Sequence, residues 1–300
     1  MAVQEQTVPV ARAKARTAKG TSERKENRVG LYIAVAVVVF IALAPFYWTV
    51  ITSIKNSVEL NSSPPTIIPH SFEPGNYSSA LTSVSPAFAK DLLNSTIVAI
   101  CTTVLALIFG SLSAYAIARL KFRGKAFVLA VVLSVNMFPL IALVGPLFVL
   151  FTNPAFRIYN TYAALIIPDL VIALPLTTWF LTSFFRDLPA DLEEAARVDG
   201  ASRLRTLWEV IVPLTAPGVF AAAILSFIAA WNDFLFGLTL TANSDAQPVT
   251  VAIPLFNGEH QIAYGEIAAA AVIVTIPLVI MVLIFQRRIV SGLTAGAVKG

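Results

Sequence analysis

The sequence has 300 residues, 57% of them hydrophobic and 13% charged, with a formal net charge of +4. A soluble domain usually carries about 25% charged residues, so the composition excludes an ordinary water-soluble enzyme and points to a bilayer as the solvent. The positive excess does not read as a nucleic-acid surface, because it is gathered into particular segments of the chain.

Residues 1–28 are rich in Ala, Lys, Arg and Thr and show no apolar periodicity. They read as a disordered basic cytoplasmic tail able to touch anionic lipid. Apolar runs then occur at 31–54, 93–118, 126–151, 161–184, 214–240 and 266–286, each long enough for the roughly 20 residues that a span needs. The expected fold is an all-α polytopic membrane protein with six transmembrane helices. Polar residues fill the chain ahead of the first run and no small-residue cleavage site follows it, so that run is read as a retained span, not a secretory signal.

Of the 21 Lys and Arg, 18 lie in the N-terminal tail or in the segments after the second, fourth and sixth runs. The positive-inside rule places those segments, and both termini, in the cytoplasm. The stretch from Asn56 to Lys90 contains Pro64, Pro65, Pro69, Pro74 and Pro86 and is expected to be an extracytoplasmic loop without a helical core. Cys101, the sole cysteine, excludes an intramolecular disulfide and reads as a packing residue. Pro139, Gly145 and Pro146 interrupt the third run, Pro168 and Pro175 the fourth, and Pro277 the sixth. Backbone groups freed by such breaks must face protein or water, which together favours a moving, water-filled pathway over separate kinks.

The loop 186–213 carries two short helices in its pattern. Pro189 and Asp191 mark a start, with Asp191 as the expected cap and Glu194 bonding back to it. Gly200 supplies the left-handed stop, and Ser202 caps a second helix on which Leu204, Leu207, Trp208 and Ile211 recur at helical spacing. A short helix across the ends of the spans is a lever for a cytoplasmic partner, and Ala195 and Ala196 permit close approach. The pattern Glu194-Ala195-Ala196, three residues, Gly200, nine residues, Val210, one residue, Val212-Pro213 resembles the EAA motif of bacterial binding-protein-dependent import permeases. That family prefers Ile and Leu where this chain has Val210 and Val212. The chain from the first span onward, including Ala229-Ala230-Trp231-Asn232-Asp233 and Gly292 to Gly300, is similar to the maltose- and trehalose-type carbohydrate permeases.

The resemblance implies a type I ABC importer permease fold in a bacterial or archaeal cell (inner) membrane, with a coupling helix seated in a cleft of the ATPase. It implies a heterodimer with a second homologous permease, two cytoplasmic ATPase subunits and an extracytoplasmic sugar-binding (lipo)protein. The coupling residues would be Glu193, Glu194, Ala195, Ala196, Asp199, Gly200 and Arg203. The layout would be a tail (1–28), a six-helix permease domain (29–290, coupling loop 186–213) and a cytoplasmic C-terminal tail (291–300) that reaches the ATPase pair or frays.

No stretch fits the nucleotide-cradling Gly-x-x-x-x-Gly-Lys-Ser/Thr pattern, so ATP and Mg would be bound by the partner ATPases and none by this chain. His70 and His260 stand far apart and suggest neither a metal site nor a catalytic base. Asp169 and Asp233 fall within apolar runs, where a carboxylate costs on the order of 2.5–3.5 kcal/mol on insertion scales. With Asn136, Trp231 and Asn232 they form the candidate substrate pathway, since hydroxyls need carboxylate or amide partners and a sugar's apolar face stacks on a ring. The competing reading places Trp231 to Asp233 at the outer interface with Trp231 in an aromatic belt. The expected function is passage of an α-glucoside disaccharide by alternating access, without covalent chemistry. A glycerol-phosphate or other solute ABC permease is the alternative, as is an ion-coupled secondary transporter using Asp169 or Asp233.

Overall fold

The computed structural model describes residues 28–82, 88–256 and 263–297, with side chains in the last helix described as far as Gln286. The basic N-terminal tail, Pro86, His260 and the last three residues lie outside the described residues. All regular structure among the described residues is helical. Residues to Phe46 form one unit and those from Tyr47 another, and α1 (Arg28–Ser53) begins in the first and ends in the second. Within the first unit Leu31, Ile33, Val38, Phe40 and Ile41 all point outward, the pattern of a helix apolar on every side and solvated by lipid.

Among the described residues four helices are long and apolar enough to cross a bilayer: α1, α4 (Phe88–Arg119), α7 (Tyr162–Asp187) and α14 (Tyr264–Ala297). Two further candidates are bent pairs, so the total is six if each pair is one span. The stretch from Asn56 to Lys90, expected to be a loop without a helical core, holds α2 (Ser57–Leu60) and α3 (Gly75–Thr82). Asn56 Oδ1 caps α2 through the Glu59 amide at 2.8 Å, and the Glu59 carboxylate gathers the proline-rich segment around it. Thr66 Oγ1, Ser71 Oγ and the amides of His70 and Ser71 all donate to that carboxylate, at 2.5, 2.6, 3.0 and 3.0 Å.

The run at 126–151 is two helices, α5 (Lys125–Ser134) with a 3₁₀ turn to Met137, and α6 (Ile141–Thr152), which meet at 91°. Pro139 is the cause: it disfavours helical backbone in Phe138, which is extended at φ −75°, ψ 132°. Pro146, Pro168, Pro175 and Pro277, by contrast, sit inside continuous helices. The run at 214–240 also departs from the expected single span. After helices α8 (Asp191–Val198) and α9 (Arg203–Thr206) of the loop 186–213, a π turn (Leu207–Ile211) leads into α10 (Val212–Leu214). The chain bends by 88° into α11 (Ala216–Trp231), breaks again at Asn232, and resumes as α12 (Leu235–Leu240) and α13 (Val249–Ala252). Pro213 and Pro217 remove amide donors on both sides of the first bend.

The most extensive packing in the second unit joins α4 to α7, with α11 against both and α14 against α11 and α3. Small residues allow this approach, as membrane helices require where lipid gives no hydrophobic drive. A Cβ at Gly110 would come within 2.6 Å of Thr177 Cγ2, and Gly218 lies against the Phe184 ring. Thr177 and Ser226 hydroxyls bond across α7 and α11 at 2.9 Å in the buried interface. At one end of the bundle Trp231, Phe88, Val249 and Phe256 form one apolar cluster. At the other, Ala114, Tyr115, Leu181, Phe185, Leu207 and Ile211 form another. Between these ends α4 runs 32 residues, about 48 Å at 1.5 Å per residue.

Candidate functional site

The loop 186–213 folds from its own sequence. In α8 the amides of Glu193 and Glu194 bond to Ala190 O at 3.0 and 3.3 Å, and no side chain caps the start. The cap expected from Asp191 is therefore not formed, because the helix begins one residue earlier in register and takes Asp191 into its first turn. The stop is as the sequence predicts. Gly200 is left-handed at φ 80°, its amide bonds to Arg197 O at 3.0 Å, and the Ala201 amide bonds to Ala196 O at 2.9 Å. Those two bonds are the paired closing bonds of a Schellman turn. Ser202 then caps α9, its hydroxyl accepting from the Arg205 amide at 3.3 Å.

Tertiary contacts turn this local unit into a fixed one. Leu207 and Ile211 are fully buried among Tyr115, Leu181 and Phe185, while Leu204 and Trp208 of the same stretch face outward. Glu193 leaves α8 toward the bundle and meets Arg119, with Nε to Oε1 at 3.0 Å and both side chains largely covered. Tyr115 OH lies 3.5 Å from the other carboxylate oxygen, and Arg119 Nη2 donates to Leu188 O at 2.7 Å. The end of α4 thus holds both the entry to α8 and the helix itself. Tyr115 and Arg119 are the site residues that sequence reasoning did not single out. Arg119 entered only the topology count, since nothing in its own neighbourhood foretells a partner 74 positions away.

With Glu193 committed inward and Ala196 buried, α8 presents Glu194, Ala195, Val198 and Asp199 outward. Gly200 and Arg203 are also exposed. A groove of about 360 Å³ runs between α8 and the second segment, lined by Leu192, Ala195, Asp199, Arg205, Glu209 and Val210. The exposed Arg205 and Glu209 form an i,i+4 pair at 2.8 Å along its edge. This is a ledge with an apolar floor and mixed charge at its rim, braced from behind, which can transmit a push along α4.

The five pathway candidates are not gathered in one place. Asn136 is exposed in the 3₁₀ turn at the α5–α6 bend, and that turn packs against α7. Asp169 is buried in α7, 3% exposed, and its Oδ2 accepts no hydrogen bond from the described residues. Asp233 lies within electrostatic reach of Asp169, but its carboxylate is spent on α12, accepting from the amides of Phe236 and Gly237 at 3.2 and 2.9 Å. Its own carbonyl accepts from Thr250 Oγ1. Asn232 is exposed and its amide returns to Ile228 O at 2.7 Å, closing α11. Trp231 is 2% exposed and stacks on Phe227 with centroids 5.5 Å apart. In this conformation Trp231 is therefore core, neither belt nor stacking platform, and Asn232 and Asp233 terminate and restart a helix. Of the five, Asp169 has a buried oxygen and Trp231 a buried indole Nε1 without a hydrogen-bond partner among the described residues. No group of three or more His, Cys, Asp or Glu among the described residues can hold a metal ion.

A family model described as binding-protein-dependent transport system inner membrane component matches residues 106–294. The chain is 43% identical to the trehalose/maltose transport system permease protein of Thermococcus litoralis, over 91% of this chain and 98% of that protein. It is 44% identical to the trehalose transport system permease protein of Mycobacterium tuberculosis, over 88% and 94%. Against the sulfoquinovosyl glycerol transport system permease protein of Agrobacterium fabrum the identity is 39%, over 95% and 98%. Among solved structures, a bacterial ABC transporter involved in alginate import shares the fold, with a TM-score of 0.73 at 21% identity over 88% of this chain and 97% of that one.

Proposed function

The chain belongs to the binding-protein-dependent transport system inner membrane components, and on that premise we propose that it is the permease subunit of a sugar importer that passes an α-glucoside disaccharide inward. In this reading it pairs with a second, similar permease, receives the sugar from an extracytoplasmic binding protein, and is driven by two ATPase subunits that bind ATP and Mg. Both termini and the ledge of α8 and α9 face the cytoplasm, as the distribution of Lys and Arg supports. The observation that carries the coupling role is the braced ledge: Glu194, Ala195, Asp199, Gly200 and Arg203 are exposed on it, while Glu193 and Ala196 hold it to the bundle.

Closure of the ATPases pushes on α8, and the Glu193–Arg119 pair passes the displacement to α4. Because α4 packs on α7 and α11 along small residues, the three helices tilt as a body. The breaks at Phe138 and Thr215 absorb the change in backbone direction. Asp169, unpartnered at Oδ2, is the residue of this chain best suited to meet a sugar hydroxyl once the helices part. The α-glucoside assignment draws on the identity of 43% and 44% to trehalose and maltose permeases. The similarity to a sulfoquinovosyl glycerol permease favours a second reading, an acidic glycoside.

Reconstitution with the partner subunits and binding protein tests the proposal. ATP-driven, vanadate-sensitive uptake of trehalose or maltose is expected. Uptake persisting without any ATPase would sink it in favour of an ion-coupled carrier, and uptake confined to anionic glycosides would transfer it to the second reading.

A further inference from the structure

At the end of the bundle opposite the coupling loop lies a polar cavity of about 750 Å³ between α2, α3 and the first turn of α14. Its walls are tied together by hydrogen bonds. Asn56 caps α2, Glu59 fixes the proline segment behind it, and the Glu73 amide bonds to Ile54 O at 2.7 Å. Asn76 Nδ2 donates to Ser53 O and Lys55 O at 3.0 and 2.9 Å, and Asn61 Nδ2 to Ser57 O at 2.8 Å. On the α14 side, Gly265 lets the backbone lie directly on the Asn76 amide, where a Cβ would come within 2.7 Å.

The side-chain amide donors of Asn61 and Asn76 are thus consumed by the protein, and strong acceptors are left over beside the hydroxyls of Ser57, Ser79 and Tyr264. Among the described residues, Glu73 and Glu266 have no ion-pair partner, and the Oδ1 atoms of Asn61 and Asn76 accept no hydrogen bond from the protein. Tyr264, half exposed, adds a ring at the rim. A wall rich in acceptors, with a few hydroxyls and one aromatic face, suits a ligand that brings hydroxyl groups and an apolar ring face, and the two carboxylates without ion-pair partners repel an anion. The volume lies in the range of small-ligand sites and is ample for a disaccharide.

We infer that this cavity is a neutral-sugar subsite on the receiving face of the permease, which holds the disaccharide between its release from the binding protein and its entry among the helices. The inference rests on the importer reading for its role, though not for its ligand chemistry. It adds a consequence that reading lacks: the chain discriminates against phosphorylated and acidic sugars before they reach the spans.

The test uses the whole importer in nanodiscs without the binding protein, with trehalose as the neutral probe, glucose 6-phosphate as the anionic one and Ca²⁺ as the cation, each followed by NMR or equilibrium dialysis. Trehalose is expected to bind at least tenfold more tightly than glucose 6-phosphate. Its affinity should fall at least tenfold both in the double variant Glu73→Gln, Glu266→Gln and in Ser57→Trp, which fills the cavity from the exposed start of α2. Absence of trehalose binding, equal binding by wild type and both variants, or Ca²⁺ bound in place of sugar overturns the subsite. ATP-driven uptake with the binding protein present, measured on the same preparations, tests the importer reading separately. Uptake without cavity binding refutes the subsite alone, and cavity binding without any ATP-driven uptake refutes the importer alone.

Discussion

At the Arg119 end of α4 an exposed ledge stands on a buried brace, whereas at the Trp231 to Asp233 break Trp231 is turned into the core and Asn232 and Asp233 are spent on closing one helix and opening the next. In the coupling loop Glu194, Ala195 and Asp199 are exposed, and the structural duties fall to Glu193, Leu207 and Ile211. At the break, Asp233 serves α12, Asn232 closes α11, and Trp231 fills the core beside Phe88. Under the proposed importer function, a surface gripped by the ATPase keeps its recognition residues free, and a region that changes shape hides them until the helices part.

The sharpest way to break this contrast is Trp231→Ala. Removing a large buried aromatic costs about 3–5 kcal/mol in well-packed interiors, so the complex should lose thermal stability while the KM for sugar stays close to wild type. A raised KM with unchanged melting would return Trp231 to the pathway. Next in size, Arg119→Ala leaves the Glu193 carboxylate covered and unpaired, a change worth about 3 kcal/mol. Its expected signature is faster protease cleavage within 186–213 and ATP hydrolysis that no longer tracks uptake. Equal protection of the loop in the variant would show that the ion pair is not the brace.

Gly200→Val forces a β-branched residue into a left-handed conformation at φ 80°, a cost of about 1–2 kcal/mol. Nothing lies within 4 Å of a Cβ there, so the effect is one of backbone strain and not of crowding. Uptake should fall at least tenfold with assembly largely retained, while Gly200→Asn, which tolerates this conformation, should recover part of it. Ser202→Ala removes the cap of α9 and should cost about 1 kcal/mol, visible as faster amide exchange at Arg205.

The smallest effect is one of pH, at the outer loop. Hydrogen bonds from Ser71 and Thr66, with smaller contributions from the amides of His70 and Ser71, hold the Glu59 carboxyl down at about 2 from its usual 4.5. A carboxyl lowered on folding contributes stability that is fully present above the unfolded value of 4.5 and is lost as pH falls toward 2. Amide protection factors over 56–79 should therefore be constant near neutral pH and fall below about 4.5, and Glu59→Gln should abolish that dependence. An unaltered profile in Glu59→Gln would show that another group organises the loop.

Much of the coupling loop was legible because its determinants are short-range. Gly200 and Ser202 ended and began helices where the pattern placed them, through bonds to residues within five positions. The cap assigned to Asp191 failed at the same scale, since Pro189 and Ala190 let the helix start earlier. The breaks were legible in kind but not in place: Pro139 broke its span while Pro146, Pro168, Pro175 and Pro277 did not. Neighbouring helices decide whether a proline's freed carbonyl is satisfied or the chain must turn. The proline-rich loop misled for a related reason. Its organiser is a single carboxylate, Glu59, whose partners stand 7–12 residues away, beyond any helical or strand period.

By itself, then, the sequence determined the solvent, the number of apolar runs, the sidedness expected from Lys and Arg, and the turn chemistry of the coupling loop, because each depends on composition or on contacts within one or two helical turns. Only the tertiary structure decided that Arg119 and Tyr115 brace the loop, that Trp231 is core and Asp233 a cap, and that acceptors from α2, α3 and α14 meet across one cavity. These depend on which helices pack together, and in this chain that rests on small residues such as Gly110 and Gly218 and on buried hydroxyl pairs such as Thr177 with Ser226, whose partners no local pattern names.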